Sequence, residues 1–299
     1  MQATRSTVIM TAMLTILPGM AAHAASRAQK PWILTAAPRE NPARGARDYG
    51  PVAAYLSRVM HHAVVYRHPS SWIQYQGWIW ANKAQIYFDG AQFIAWRAKN
   101  GLAVPGPVIA QAQRWRLYTW SGSGVKTLND VATGAVLCAP PPPNYGTLWL
   151  EGLFPNPLRQ PYMKNMHGWA AIHKAVLAHS CTVGIGPATT LRKFGARGLT
   201  VLERGPDQMP NQGFSLSKDL SAATRARIMT ALVAPAGEQA MRRLRDRFGA
   251  GHKLVRGRMT AYVSGPIVPI EESLENLWTL YSAGVKADLA KARAMTHKT

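Results

Sequence analysis

Asn144, Tyr145, Gly146 and Thr147 stand where residue types and spacing in this 299-residue chain best suit a chemical task, the holding of an anion. They follow a short apolar run (Val136, Leu137, Cys138) and a proline-stiffened turn (Pro140–Pro143), and they open a helix that continues through Leu148–Leu150. Asn and Thr cap helix starts, and the unpaired N–H groups there, with the helix dipole, form an anion site. Four prolines fix φ, so a cradle at this loop would be held open before a ligand arrives. The same residues also read as a rigid strand-to-helix turn that holds nothing.

The residues offer little for covalent chemistry. There is no G-x-S-x-G elbow, no H-E-x-x-H pair and no Walker A loop. Asp and Glu number 14 against 35 Lys and Arg, a formal charge of +21, which leaves few carboxylates for acid–base work. Such a basic balance raises nucleic acid, anionic surfaces and anionic ligands as partners. The cations are spread along the chain, densest at Arg225–Arg227 and Arg242–Arg258, and no nucleic-acid motif accompanies them. The nine His are scattered, and His61-His62 falls at an exposed helix end, so neither a metal nor another cofactor is expected.

Arg5 precedes the mostly apolar run Val8–Met20, and Ala22-His23-Ala24 supplies a small-x-small cleavage pattern. Residues 1–24 are therefore expected to be a signal peptide cleaved after Ala24, leaving a periplasmic protein without a spanning helix. Cys138 and Cys181 suit an oxidising compartment. A single bridge between them could form, with two buried thiols as the other outcome.

The elements that must position these groups alternate. Strands are expected at Pro31–Ala37, Ala63–Arg67 and Ala84–Phe88, with helices from Pro51, over Trp72–Asn82 and over Ala91–Lys99. Trp72, Tyr75, Ile79 and Trp80 share one helix face, read as core. Two more strand candidates fall around Gln113–Trp120. A second series follows: strand Val136–Cys138, helix Gly146–Leu153, strand Tyr162–Met166, helix Gly168–His179 and strand Cys181–Ile185. Leu199–Arg204 is a return strand, then come Ser215–Leu220 and helices over Ala222–Leu232, Glu238–Phe248 and Glu271–Lys291. This argues an α/β protein whose mostly parallel sheets are covered on both faces, in two lobes with a cleft between them.

With those elements laid out, the chain resembles the phosphate/phosphite/phosphonate-type periplasmic substrate-binding proteins of ABC transporters. The resemblance rests on Tyr49-Gly50-Pro51-Val52-Ala53-Ala54-Tyr55-Leu56, on Ala84-Gln85-Ile86-Tyr87-Phe88-Asp89-Gly90, on Leu128-Asn129-Asp130-Val131 with Gly134, and on Ala139–Thr147, His167 and Cys181–Ile185. It covers roughly Ile33 to Phe248 and lies in the order and spacing of these segments. It implies the two-lobed type II periplasmic binding fold with two crossing strands as hinge. Residues 25–119 with 205–299 would form one lobe and 120–204 the other. It further implies ligand contacts from Tyr49, Asp89, Gly90, Phe93, Asn144, Tyr145, Gly146, Thr147 and His167.

The chain departs from the family where a serine- and threonine-rich loop becomes Pro142-Pro143-Asn144-Tyr145, and where a Gly-Pro turn becomes Gly90-Ala91. Gly184-Ile185-Gly186-Pro187 also carries no carboxylate to pair with the amine of an aminoalkyl phosphonate. The resulting expectation is a monomeric, non-catalytic receptor that passes a small oxyanion to a permease or sensor. An enzyme on the same fold and a basic protein binding polyanions by charge alone are the alternatives.

Overall fold

A computed structural model describes residues 29–256, apart from 111, 133, 143, 155, 156, 206–209 and 250. The expected signal peptide and the expected helix over Glu271–Lys291 lie outside the described residues.

The first half runs β1 (Trp32–Ala36), α1 (Pro42–Met60), β2 (Val64–Tyr66), α2 (Trp72–Trp80), β3 (Ile86–Asp89), α3 (Ala91–Lys99) and β4 (Ala103–Ile109). The chain then crosses into β5 (Trp115–Trp120), α4 (Leu128–Ala132), β6 (Val136–Ala139), α5 (Tyr145–Leu153), β7 (Tyr162–Asn165), α6 (Trp169–Leu177), β8 (Val183–Pro187), α7 (Ala188–Phe194) and β9 (Leu199–Arg204). It returns through β10 (Gly213–Ser217), α8 (Ala222–Val233), α9 (Pro235–Ala240), α10 (Arg242–Gly249) and β11 (Leu254–Arg256).

Two sheets result, in the orders β11-β4-β10-β3-β1-β2 and β7-β6-β8-β5-β9. β1 is parallel to β2 and β3, and β6 is parallel to β7 and β8, as the alternating strand–helix order requires. The crossing strands join antiparallel, β10 to β3 and β5 to β8, so each sheet is mixed. β5 lies in the second sheet. The chain therefore passes from the first sheet to the second between β4 and β5, ahead of the 119/120 boundary expected from the sequence.

Side-chain alternation places one core on each face of each sheet. Phe88 packs with Leu34, Leu56 and Phe214, whereas its neighbour Tyr87 packs with Tyr75, Ile79 and Phe93. In the second sheet Leu137 joins Leu117, Leu150 and Ile185, and Cys138 joins Tyr118, Ile172 and Cys181. Cys138 and Cys181 form a disulfide with their Cα atoms 5.9 Å apart.

α1 begins well before Pro51. Asn41 caps it by accepting a hydrogen bond from the Arg44 N–H at 2.9 Å, and Pro42 occupies the first turn, where its missing N–H costs nothing. Pro51 thus lies inside the helix. It leaves the Arg47 carbonyl without its usual partner four residues on, and the Arg243 guanidinium of α10 donates to that carbonyl at 3.0 Å.

Helices α7 and strands β4 and β11 have no counterpart in the sequence reading, and the expected helix Glu238–Phe248 is split between α9 and α10. β4 carries Pro105 and Pro107, residues that argue against a strand, and its pairing with β10 shifts register between Gly213 and Ser215.

Candidate functional site

The loops after β1, β2, β3, β6, β7 and β8 all open on one cavity of about 520 Å³. They supply Arg39, Trp72, Gln92 and Phe93, Asn144 and Tyr145, Trp169, and Ala188–Thr190 in that order. Ligands of open α/β sheets sit at the carboxyl ends of parallel strands for the same topological reason. Gln113, Asn211 and Gln212 also line the cavity, and Gln113 Nε2 donates to Asn211 Oδ1 at 2.8 Å. Arg247, Phe248 and His252, from α10 and the turn after it, complete the wall.

The charge at this wall is one-sided. Arg39, Arg114, Arg192 and Arg247 line it, and none of the described lining residues is Asp or Glu. Arg247 is held by Glu40 at 2.7 Å and Asp48 at 3.3 Å. The guanidinium carbons of Arg39 and Arg247 lie over the Phe248 ring, 5.4 and 4.7 Å from its centroid. Two buried donors at the wall, Arg39 Nη1 and Trp115 Nε1, have no hydrogen-bond partner. A buried donor left unpaired is costly, and both belong to residues that line the cavity. The starts of α3, α5, α6 and α7 add helix N–H dipoles of the same sign. Among the described residues no three His, Cys, Asp or Glu side chains gather to hold a metal ion.

Of the sequence-expected contacts, Phe93, Asn144 and Tyr145 line the cavity. Gly90 caps α3, and Asn144 Oδ1 accepts from the Gly146 N–H at 3.0 Å, so that N–H is turned inward and not toward an anion. Thr147 is fully buried, its hydroxyl donating to the Pro140 carbonyl at 2.5 Å. Tyr49 stands apart from the cavity. Because α1 starts at Pro42, Tyr49 lies inside a helix, fully buried and stacked on Tyr66 with ring centroids 4.9 Å apart, outside the cavity lining. His167 follows the edge strand β7, is exposed, and likewise lies outside the lining.

Asp89 is fully buried and stands apart from the lining residues, accepting a hydrogen bond from the Tyr75 hydroxyl. Burial pushes its carboxyl up to about 6 from an ordinary 3.8, against the downward pull of the Tyr75 hydrogen bond and of Arg39 and Arg97. The raised folded value gives stability that is full below the unfolded pKa and is lost as pH rises through the folded one. Relative to Asp89→Asn, the native protein should therefore lose stability between pH 4 and pH 6. Parallel urea-unfolding profiles of the two proteins across that range would refute this.

Trp115 begins β5, and its indole lies against the first turn of α5. A Cβ at Gly146 would stand 2.4 Å from Trp115 Cζ3, and one at Gly205 would stand 3.1 Å from Trp115 Cβ, so two glycines form its seat. Gly146→Ala should cost about 2 kcal/mol, the usual penalty of overpacking. A shifted tryptophan emission and a lower urea midpoint would report it, and an unchanged midpoint would refute the seat.

The sequence alone did not single out Arg39, Trp115, Trp169, Thr189, Thr190 or the Arg247-Phe248 pair; Trp72, read as core, does pack against Tyr75 and Phe93 and lines the cavity as well. The available signal was position: most of them follow the carboxyl end of an expected strand.

Residues 34–261 match the family described as the phosphonate periplasmic substrate-binding protein of an ABC transporter. No curated protein matches the chain. Among solved structures, a Xanthomonas citri protein bound to ATP is similar at 12% identity and a TM-score of 0.67, over 83% of this chain and 98% of that one. A Prochlorococcus marinus protein in complex with methylphosphonate is similar at 10% identity and 0.61, over 83% and 98%. A binding-protein component of a Pseudomonas aeruginosa ABC phosphonate transporter is similar at 13% and 0.56, over 88% and 99%.

Proposed function

The chain belongs to the family of phosphonate periplasmic substrate-binding proteins of ABC transporters, and on that footing we propose that its cleft captures a small phosphorus oxyanion and passes it, unreacted, to a membrane permease. One observation carries the reading. The cavity wall holds Arg39, Arg114, Arg192 and Arg247, and none of its described residues is a carboxylate. Such a wall favours an anion. The methylphosphonate and ATP held by the two fold relatives both carry oxygens on phosphorus, which agrees with this charge. No helix among the described residues is long and apolar enough to cross a membrane. Export with cleavage after Ala24 is part of the proposal, and mass spectrometry of the protein from the periplasm would test it.

The ligand is tested by thermal shift at about 0.15 M salt, where diffuse surface attraction is screened beyond roughly 8 Å. Phosphate, phosphite, methylphosphonate, sulfate and an aminoalkyl phosphonate form the panel, with uncharged controls. Saturable stabilisation by a phosphorus oxyanion is the expected result, since a ligand that binds only the folded state raises its stability by mass action. Equal silence across all the anions would sink the reading.

A further inference from the structure

The cleft holds more than a small anion uses. Trp72 enters the cavity from the first lobe and Trp169 from the second, and both are only half-buried. Each indole is backed by an aromatic residue of its own lobe. Trp72 stacks on Phe93 with centroids 6.3 Å apart and planes 20° from parallel, and Trp169 meets Trp115 at 5.3 Å and 67°. Each is therefore fixed in orientation and still keeps apolar surface toward the cavity. A phosphorus oxyanion alone needs donors and gains nothing from the apolar faces of these two indoles. A cavity of about 520 Å³ also lies within the range of about 300–1,000 Å³ that takes ligands of many heavy atoms.

We propose that the ligand is a phosphorus oxyanion attached to a flat, unsaturated body, with the charged head at Arg39 and the body against Trp72 and Trp169. This rests on the oxyanion reading above and narrows it. Apolar groups with no charge make no use of the arginines that line the cavity. Purely polar anions leave the two indoles facing water. Only a ligand with both parts covers both features, and ring stacking on a fixed indole adds to whatever the head contributes.

The test compares ligands that share a head and differ in a ring: phenylphosphonate against methylphosphonate, and phenyl phosphate against methyl phosphate, by titration calorimetry on the full mature chain. In at least one pair the aryl compound should bind about tenfold or more tightly than its methyl counterpart, a difference of ~1.4 kcal/mol. The ratio should shrink severalfold in Trp72→Ala and in Trp169→Ala, two variants on different lobes, so that a failure to fold in one leaves the other informative. If the methyl compounds bind as well as the aryl ones in both pairs, the inference is overturned and the oxyanion reading stands. If no compound of either kind binds, both fall. An aryl preference undiminished in both tryptophan variants would overturn the assignment of the body to these indoles.

Discussion

Reduction of the Cys138–Cys181 disulfide should lower the unfolding free energy by roughly 4 kcal/mol, the loop-closure value for a bridge spanning 43 residues. The bridge joins β6 to the chain just before β8, which pair in parallel at Leu137↔Val183 and Cys138↔Gly184. Both sulfurs lie in the core against Tyr118, Ile172 and Val176, so the native geometry is already set by packing and the cross-link acts chiefly on the unfolded chain. β6 leads into the loop that delivers Asn144 and Tyr145, and β8 leads into Ala188–Thr190, so one cross-link also fixes the spacing of two cleft segments. Urea unfolding with and without a thiol reductant measures the effect. Coincident curves, with free thiols verified in the reduced sample, would show that the bridge contributes nothing.

Arg39→Ala should weaken methylphosphonate binding about a hundredfold or more. Truncating one member of a hydrogen-bonded charge pair costs about 2–5 kcal/mol when the pair is fully buried, and for the partly buried Arg39 the hundredfold loss is near the lower end. Arg39 is the choice among the cleft arginines because Arg247 is already committed to Glu40 and Asp48, whereas the Nη1 of Arg39 is buried without a partner. Arg39→Lys separates charge from shape: the ammonium keeps the charge but not the fork, so it should recover only part of the loss. A titration in which Arg39→Ala binds as the native protein does would remove Arg39 from the site.

Much of the fold was legible because local signals agreed with one another. Ala91–Lys99 reads as a helix between Asp89-Gly90 and Asn100-Gly101, and α3 spans those residues; Leu199–Arg204 likewise coincides with β9. Proline misled where its context decided its meaning. Pro51 suits a helix start, yet Asn41-Pro42 is the better start, and the release of one carbonyl is compensated from elsewhere in the chain. Pro105 and Pro107 hid β4 in the same way. Of the site, the loop after β6 was visible because its Asn–Tyr–Gly–Thr sequence has a local meaning. Arg39, Trp72, Trp169 and Arg247 had none, since each is ordinary in its own segment and becomes a wall residue only when two sheets bring six strand ends together. The place of Trp115 depends on Gly146 and Gly205, which no local pattern links to it.

Pro51 and Arg243 form a matched pair whose members sit far apart in the chain. The proline frees the Arg47 carbonyl and the arginine takes it up, which fastens α10, the helix that ends in Arg247 and Phe248, to α1. Each substitution alone therefore carries a penalty the other can relieve: without Pro51 the carbonyl is bonded within its helix and Arg243 is dispensable, whereas without Arg243 the carbonyl is left to water. In the descent of such chains the two positions should change together, with a long donor at 243 accompanying proline at 51 and free variation at 243 wherever an ordinary residue restores the helix.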